Sequence, residues 1–298
     1  MAEDFRWDGA HLELPLLDAV AADLGKSVKP GTAKFNFMMH AFIIRYFLGD
    51  DWFEKHVHLD AHPNSFLRPN FSGDRDVDPR YSVLILRLAE LFINLQFALG
   101  FSKCLEHMSL EQIESGLAEM HVGQLFKERG IPFKYVEEAD RTTVDIIFEA
   151  PDHTQALCEI KCKYEKTNFS KGTLQSAFRE ASRQIGRGNS GIVVVKVPSS
   201  WMNISQSRAS EPPNIKIPQE IIDVTKDQIR QYSRIKKVVF VVSHYAYDPE
   251  WGLSATHTTM EFNNPKNAAP WDVELLNAYP PGDWYSIVAL GKRWAKQA

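Results

Sequence analysis

Cysteine is scarce in this chain. There are three in 298 residues, Cys104, Cys158 and Cys162. An odd number without the paired spacing of a zinc site gives no disulfide framework and no structural zinc, and it fits a reducing, cytoplasmic setting. A basic excess is also missing. With 34 Lys and Arg against 38 Asp and Glu the net charge is −4, so any contact with nucleic acid has to run through local patches. The opening Met1-Ala2-Glu3-Asp4-Phe5-Arg6 has no signal-peptide pattern. No apolar run is clean enough to span a bilayer. The longest, from Tyr81 to Phe101, is interrupted by Arg87, Glu90 and Asn94 and reads as a buried helix. No membrane partner is expected. Repeats and low-complexity tracts are absent.

What is present suits one large or two modest globular domains. Hydrophobic residues make up 44% and charged residues 24%, enough apolar surface for a core that can hold a site. Residues 1–105 read as a helical N-terminal region and residues 106–298 as an α/β domain. Leu12 to Leu24 and Phe35 to Leu48 have helical patterning, punctuated by Gly25 and Pro30-Gly31. The run Gly191 to Val197 is continuously apolar, as in a central strand buried on both faces. Residues 198–218 read as a loop rich in Ser, Pro and Asn. A helix over 219–235 leads into a strand over 237–243.

The chemistry concentrates in two adjacent β-like runs. Thr143-Val144-Asp145-Ile146-Ile147-Phe148 carries an Asp, and Ala156-Leu157-Cys158-Glu159-Ile160-Lys161 carries a Glu and a Lys. Alternation puts Glu159 and Lys161 on one face, about 6–7 Å apart along the strand. Val144, Ile146, Phe148, Cys158, Ile160 and Cys162 take the other parity, so the apolar faces can enter a core while Asp145, Glu159 and Lys161 converge outside it. Mg²⁺, with Mn²⁺ as a substitute, takes oxygen ligands, usually one or two carboxylates plus water and phosphate. Such an ion acidifies a bound water and stabilises charge on a transferring phosphoryl group. A neighbouring Lys orients the water or offsets the developing charge.

A third carboxylate lies upstream. Residues 109–129 read as one helix, with Ser109 as N-cap, Gln112 as its capping-box partner, and Gly130 and Pro132 as the stop. Glu119 shares a stripe with Gly116 and Gly123, where glycines permit close approach of a neighbour. It is a candidate outer metal ligand facing the sheet.

These elements together resemble the PD-(D/E)XK nuclease superfamily. The matching order is a helix with Glu119, the turn Arg129-Gly130-Ile131-Pro132, a strand at Asp145, the Glu159-Ile160-Lys161 strand, and a helix over 172–186. The likeness covers roughly residues 109–200. Val144 stands where many members have Pro, and the Tyr that some members place four residues after the helical Gln is Gly188 here. The resemblance implies a restriction-endonuclease-like mixed central sheet flanked by helices. It implies a Mg²⁺-dependent nuclease acting on DNA rather than RNA, with Asp145, Glu159 and Glu119 on the metal, Lys161 on the water or the transition state, and Gln184 beside them.

Basic residues follow the lysine strand: Lys163, Lys166, Arg179, Arg183 and Arg187. Leu174, Ala177, Phe178, Ala181 and Ile185 form the apolar stripe of the same helix. The cations are candidate phosphate contacts, weighed against an ordinary solvated helix face. Lys226, Arg230, Arg234, Lys236 and Lys237 repeat the theme. Two other readings compete. One is a catalytically silent nuclease-fold module that binds nucleic acid or a protein. The other is a zinc hydrolase built on His56-Val57-His58-Leu59-Asp60-Ala61-His62, but Ala61 separates the Asp and His that such a box keeps adjacent. Trp271, Trp284 and Trp294 suit packing better than base stacking.

Overall fold

The structure is a computed structural model. It describes residues 9–57, 67, 79–110, 112–137, 144–205, 214–248, 252–266 and 282–297. The chain is an α/β protein, with N-terminal helices followed by a mixed six-stranded sheet and flanking helices. It divides into two compact units. One gathers residues 1–97, 104–120 and 284–298, and the other gathers residues 98–103 and 121–283.

The helical unit holds α1 (Leu14–Gly25), α2 (Ala33–Leu48), α3 (Asp50–His56), α4 (Pro79–Leu95) and α9 (Ile287–Gln297). Thr32 caps α2 by accepting from the Phe35 N–H at 3.3 Å. Phe47 and Phe92 meet in its core with ring centroids 5.3 Å apart. The polar residues that interrupt the apolar run of α4 are all engaged. Arg87 pairs with Glu90 at 2.8 Å. The Asn94 side chain donates to the Tyr285 carbonyl and accepts from the Tyr285 N–H. Trp294 lies in α9, where it donates to Asp18 at 2.8 Å and packs edge-on to Phe35. Trp284 lies 5.9 Å from the Arg87 guanidinium.

The expected helix boundaries shift around residue 100. The run from Tyr81 does not continue to Phe101: α4 ends at Leu95 and α5 (Phe101–Ser109) begins after Gly100. Gly100 adopts φ 75°, and a Cβ there would collide with the Tyr135 carbonyl. The expected single helix over 109–129 begins instead at Ile113, as α6 (Ile113–Glu128). Ser109 is not its cap. Its hydroxyl donates back to the Glu106 carbonyl at 2.8 Å, closing α5. The close approach expected of the α6 glycines is present. Gly116 sits against Cys104 and Met108 of α5, and a Cβ on Gly123 would meet the Tyr135 hydroxyl.

The sheet runs β1 (Phe133–Tyr135), β2 (Ile146–Glu149), β3 (Gln155–Cys162), β4 (Gly191–Val197), β7 (Ile235–Asp248) and β8 (Gly252–Asn263), neighbour to neighbour. The β3–β4 and β4–β7 pairs are parallel and the outer pairs antiparallel. Parallel neighbours need crossovers, supplied by α7 (Lys171–Ile185) and α8 (Gln219–Gln231). All seven residues of β4 are buried, as a strand covered on both faces requires. One face carries Val193, Val195, Val238 and Phe240 against Leu174, Phe178 and Ile185 of α7 and Ile221 of α8. On the other face Phe126 packs on Phe148 at 5.1 Å. The stretch over 198–218 is not all loop: it contains the two-stranded hairpin β5 (Asn203–Ser205) and β6 (Asn214–Lys216).

Candidate active site

Asp145 lies one residue before β2, and the pairing of Ile146 with Cys158 carries it toward Glu159. Its side chain replaces the backbone in the ladder. Oδ2 accepts the Ile160 N–H at 2.7 Å, while the Asp145 carbonyl accepts from the Val136 N–H at 2.9 Å. The carboxylate is therefore fixed by β3, and the Asp145 main chain by the residue after β1. Its other oxygen, Oδ1, takes the Lys103 ammonium at 3.0 Å, and Lys103 is only 4% exposed.

Glu159 and Lys161 share the α7 side of β3, as alternation demands. The Glu159 Oε1 pairs with the Lys161 Nζ at 2.8 Å. Lys161 also donates to Gln184 Oε1 at 2.5 Å, so a helix residue 23 positions on completes the group. The expectation that the acidic residues lie outside the core is corrected for Glu159, which is 1% exposed. Strand β3 sits between β2 and β4, and α7 covers this face.

Burial, reinforced by the Asp145 charge, raises the Glu159 pKa to about 8; Lys161 and then Lys103 pull against that rise. The second oxygen, Oε2, is buried and has no hydrogen-bond partner among the described residues. A buried carboxylate oxygen left this way is costly unless something arrives to use it. A divalent cation fits that need: it is bound by carboxylate oxygens and would offset both the burial and the repulsion from Asp145. Asp145 and Glu159 would hold it. Among the described residues no three His, Cys, Asp or Glu side chains form a ligand set, so water and phosphate oxygens would complete the shell.

Four of the expected site residues are thus together: Asp145, Glu159, Lys161 and Gln184. Glu119 is buried in the helical unit, where its Oε1 meets His107 Nδ1 at 2.9 Å and its Oε2 receives the Cys104 thiol at 3.7 Å. Of the expected phosphate contacts, Lys166, Arg179, Arg183 and Arg187 are exposed. Arg179 donates to Ser176 at 3.3 Å. Lys163 is half-buried, and burial is the leading cause of its lowered pKa. In the histidine cluster, His56 packs on Trp52 and is buried, whereas residues 58–62 lie outside the described residues, as does Trp271.

Lys103 is the site residue the sequence reading missed. It stands beside the α5 stripe of Phe101, Cys104, Leu105 and Met108, four residues before His107. A lysine flanking such a stripe ordinarily reaches water, so its position alone carried no strong signal. Compared with protein-family models, with curated proteins and with solved structures, the chain matches none of them.

Proposed function

We propose that this protein is a divalent-metal-dependent nuclease of restriction-endonuclease-like fold, acting on DNA rather than RNA. The observation that carries the proposal is the convergence of Asp145, Glu159, Lys161 and Gln184 on one sheet face, with a buried Glu159 oxygen left without a hydrogen bond among the described residues.

A Mg²⁺ or Mn²⁺ ion held by Asp145 and Glu159 would supply an acidified water and a counter-charge for the phosphoryl oxygens. The residues prepare for that. The Ile160 N–H fixes the orientation of Asp145. Gln184 holds the Lys161 ammonium beside Glu159, where it can orient the attacking water or meet the developing negative charge. Lys166, Arg179, Arg183 and Arg187, exposed on and around α7, supply cations for a phosphate backbone.

The test is cleavage of mixed DNA and RNA substrates with Mg²⁺, with Mn²⁺ and with EDTA. Cleavage of DNA that needs a divalent ion is expected. Lys161→Ala should cost about 10²–10³ in rate while leaving the fold and ion binding intact. Full activity in that variant would remove the mechanism. A second reading rests on a specific observation: Lys103 and Lys161 already pair with Asp145 and Glu159, so both carboxyl groups have a cationic partner without an ion. A silent nucleic-acid-binding module would bind DNA and cut it under no divalent condition.

A further inference from the structure

We infer that Lys103 competes with a divalent ion for Asp145: its ammonium holds Asp145 Oδ1 and must release that oxygen for an ion to bind. The inference rests on the metal-dependent reading above and adds a regulator of ion affinity to it. Three observations carry it. Both Asp145 oxygens are in use, Oδ2 on a backbone N–H that a sheet fixes and Oδ1 on a side-chain cation. Oδ1 is therefore the exchangeable one. Lys103 is 4% exposed, so its ammonium has given up most of its water. And among the described residues the second carboxylate keeps an oxygen without a hydrogen bond, so the lysine compensates Asp145 while leaving Glu159 Oε2 for an incoming ion.

Two cations cannot share Oδ1 at bonding distance without strong repulsion. Ion binding and the Lys103–Asp145 pair are thus linked as competitors. Removing the lysine removes the competitor and leaves a carboxylate already oriented by Ile160. A lysine that merely braces Asp145 gives the opposite expectation: without it, the carboxylate swings away and the ion binds no better.

The experiment is a Mn²⁺ titration of the full chain without substrate, by calorimetry or by electron paramagnetic resonance. Lys103→Met should bind Mn²⁺ about tenfold tighter than wild type, equivalent to removing about 1.4 kcal/mol of competition. Lys103→Arg, which keeps a cation, should stay near wild type. Adding Asp145→Asn to Lys103→Met should cancel the gain, because the gain acts through Asp145. A wild type that binds no Mn²⁺ beside a Lys103→Met protein that does would be the strongest form of support. Equal or weaker binding in folded Lys103→Met would overturn the inference and leave the metal reading standing. If that variant fails to fold, Lys103→Gln decides in the same way. No Mn²⁺ bound by any of these proteins would remove both. On the unmodified chain, a Mn²⁺-loaded crystal structure in which Lys103 still bonds Asp145 Oδ1 would also overturn it.

Discussion

In the helical unit Glu119 gives one carboxylate oxygen to His107 and the other to the Cys104 thiol, whereas in the sheet unit Glu159 gives one oxygen to Lys161 and, among the described residues, leaves the other without a hydrogen bond. Both glutamates are buried. The contrast separates a carboxylate with a partner at each oxygen from one held ready. A protein interior tolerates a polar group whose partners are supplied by neighbouring side chains. It pays for one that is left incomplete, and such groups gather where chemistry occurs. The sheet unit adds a second strain, placing Asp145 close enough to raise the Glu159 pKa.

The largest expected effect follows from that rise. Between the unfolded carboxyl value near 4.5 and the folded value of about 8 the native state holds the extra proton. Unfolding free energy therefore falls as pH rises through that window, by at most about 1.4 kcal/mol per pH unit. Glu159→Gln cannot ionise. In metal-free protein it should match wild type near pH 5 and exceed it increasingly toward pH 9 in thermal or urea unfolding. Parallel stability curves for the two proteins would show that Glu159 is not held protonated. The same variant should lose Mn²⁺ affinity.

The helical unit should show the mirror image on the acid side. Burial lowers the His40 pKa from 6.5 to about 4. Between those values the unfolded chain binds the proton that the native state refuses, so stability falls as pH drops through the window and levels off below it. The window is narrower than that of Glu159, so the effect is smaller. His40→Leu should flatten the decline between pH 6.5 and 4 in unfolding experiments. An unchanged decline would place the acid sensitivity elsewhere.

The sheet site was largely legible in the sequence, because its signals are local. Alternation put Glu159 and Lys161 on one face, and the stripe of Leu174, Ala177, Phe178, Ala181 and Ile185 fixed which side of α7 packs. That in turn turned Gln184 toward Lys161. Four features were not legible. Lys103 pairs with a residue 42 positions away, and no periodicity encodes that. The depth of Glu159 depends on β3 being an interior strand, which is a property of sheet order. The helix break near residue 100 depends on Gly100 meeting the Tyr135 carbonyl, a contact between distant segments. The hairpin of Asn203–Ser205 and Asn214–Lys216 was missed because strands of three mostly exposed residues show no alternation.

The smallest expected effect is the sharpest test of the contrast. Glu119 was expected from sequence as an outer metal ligand, yet its two oxygens are met by His107 and Cys104. Glu119→Gln keeps an oxygen and the shape of the side chain, and its amide can still hydrogen-bond in place. If this glutamate is structural, the variant should match wild type in the Mn²⁺ binding and DNA cleavage that the proposed function predicts. Its cost should appear in stability, on the order of 1–3 kcal/mol for weakening a buried charged hydrogen bond. A loss of Mn²⁺ affinity of about tenfold or more, the size seen when groups supporting a metal are removed, would break the comparison and return Glu119 to the metal. Loss of stability with unchanged affinity would keep it in the helical core, and leave Asp145 and Glu159 as the ligands that the proposed function assigns to the ion.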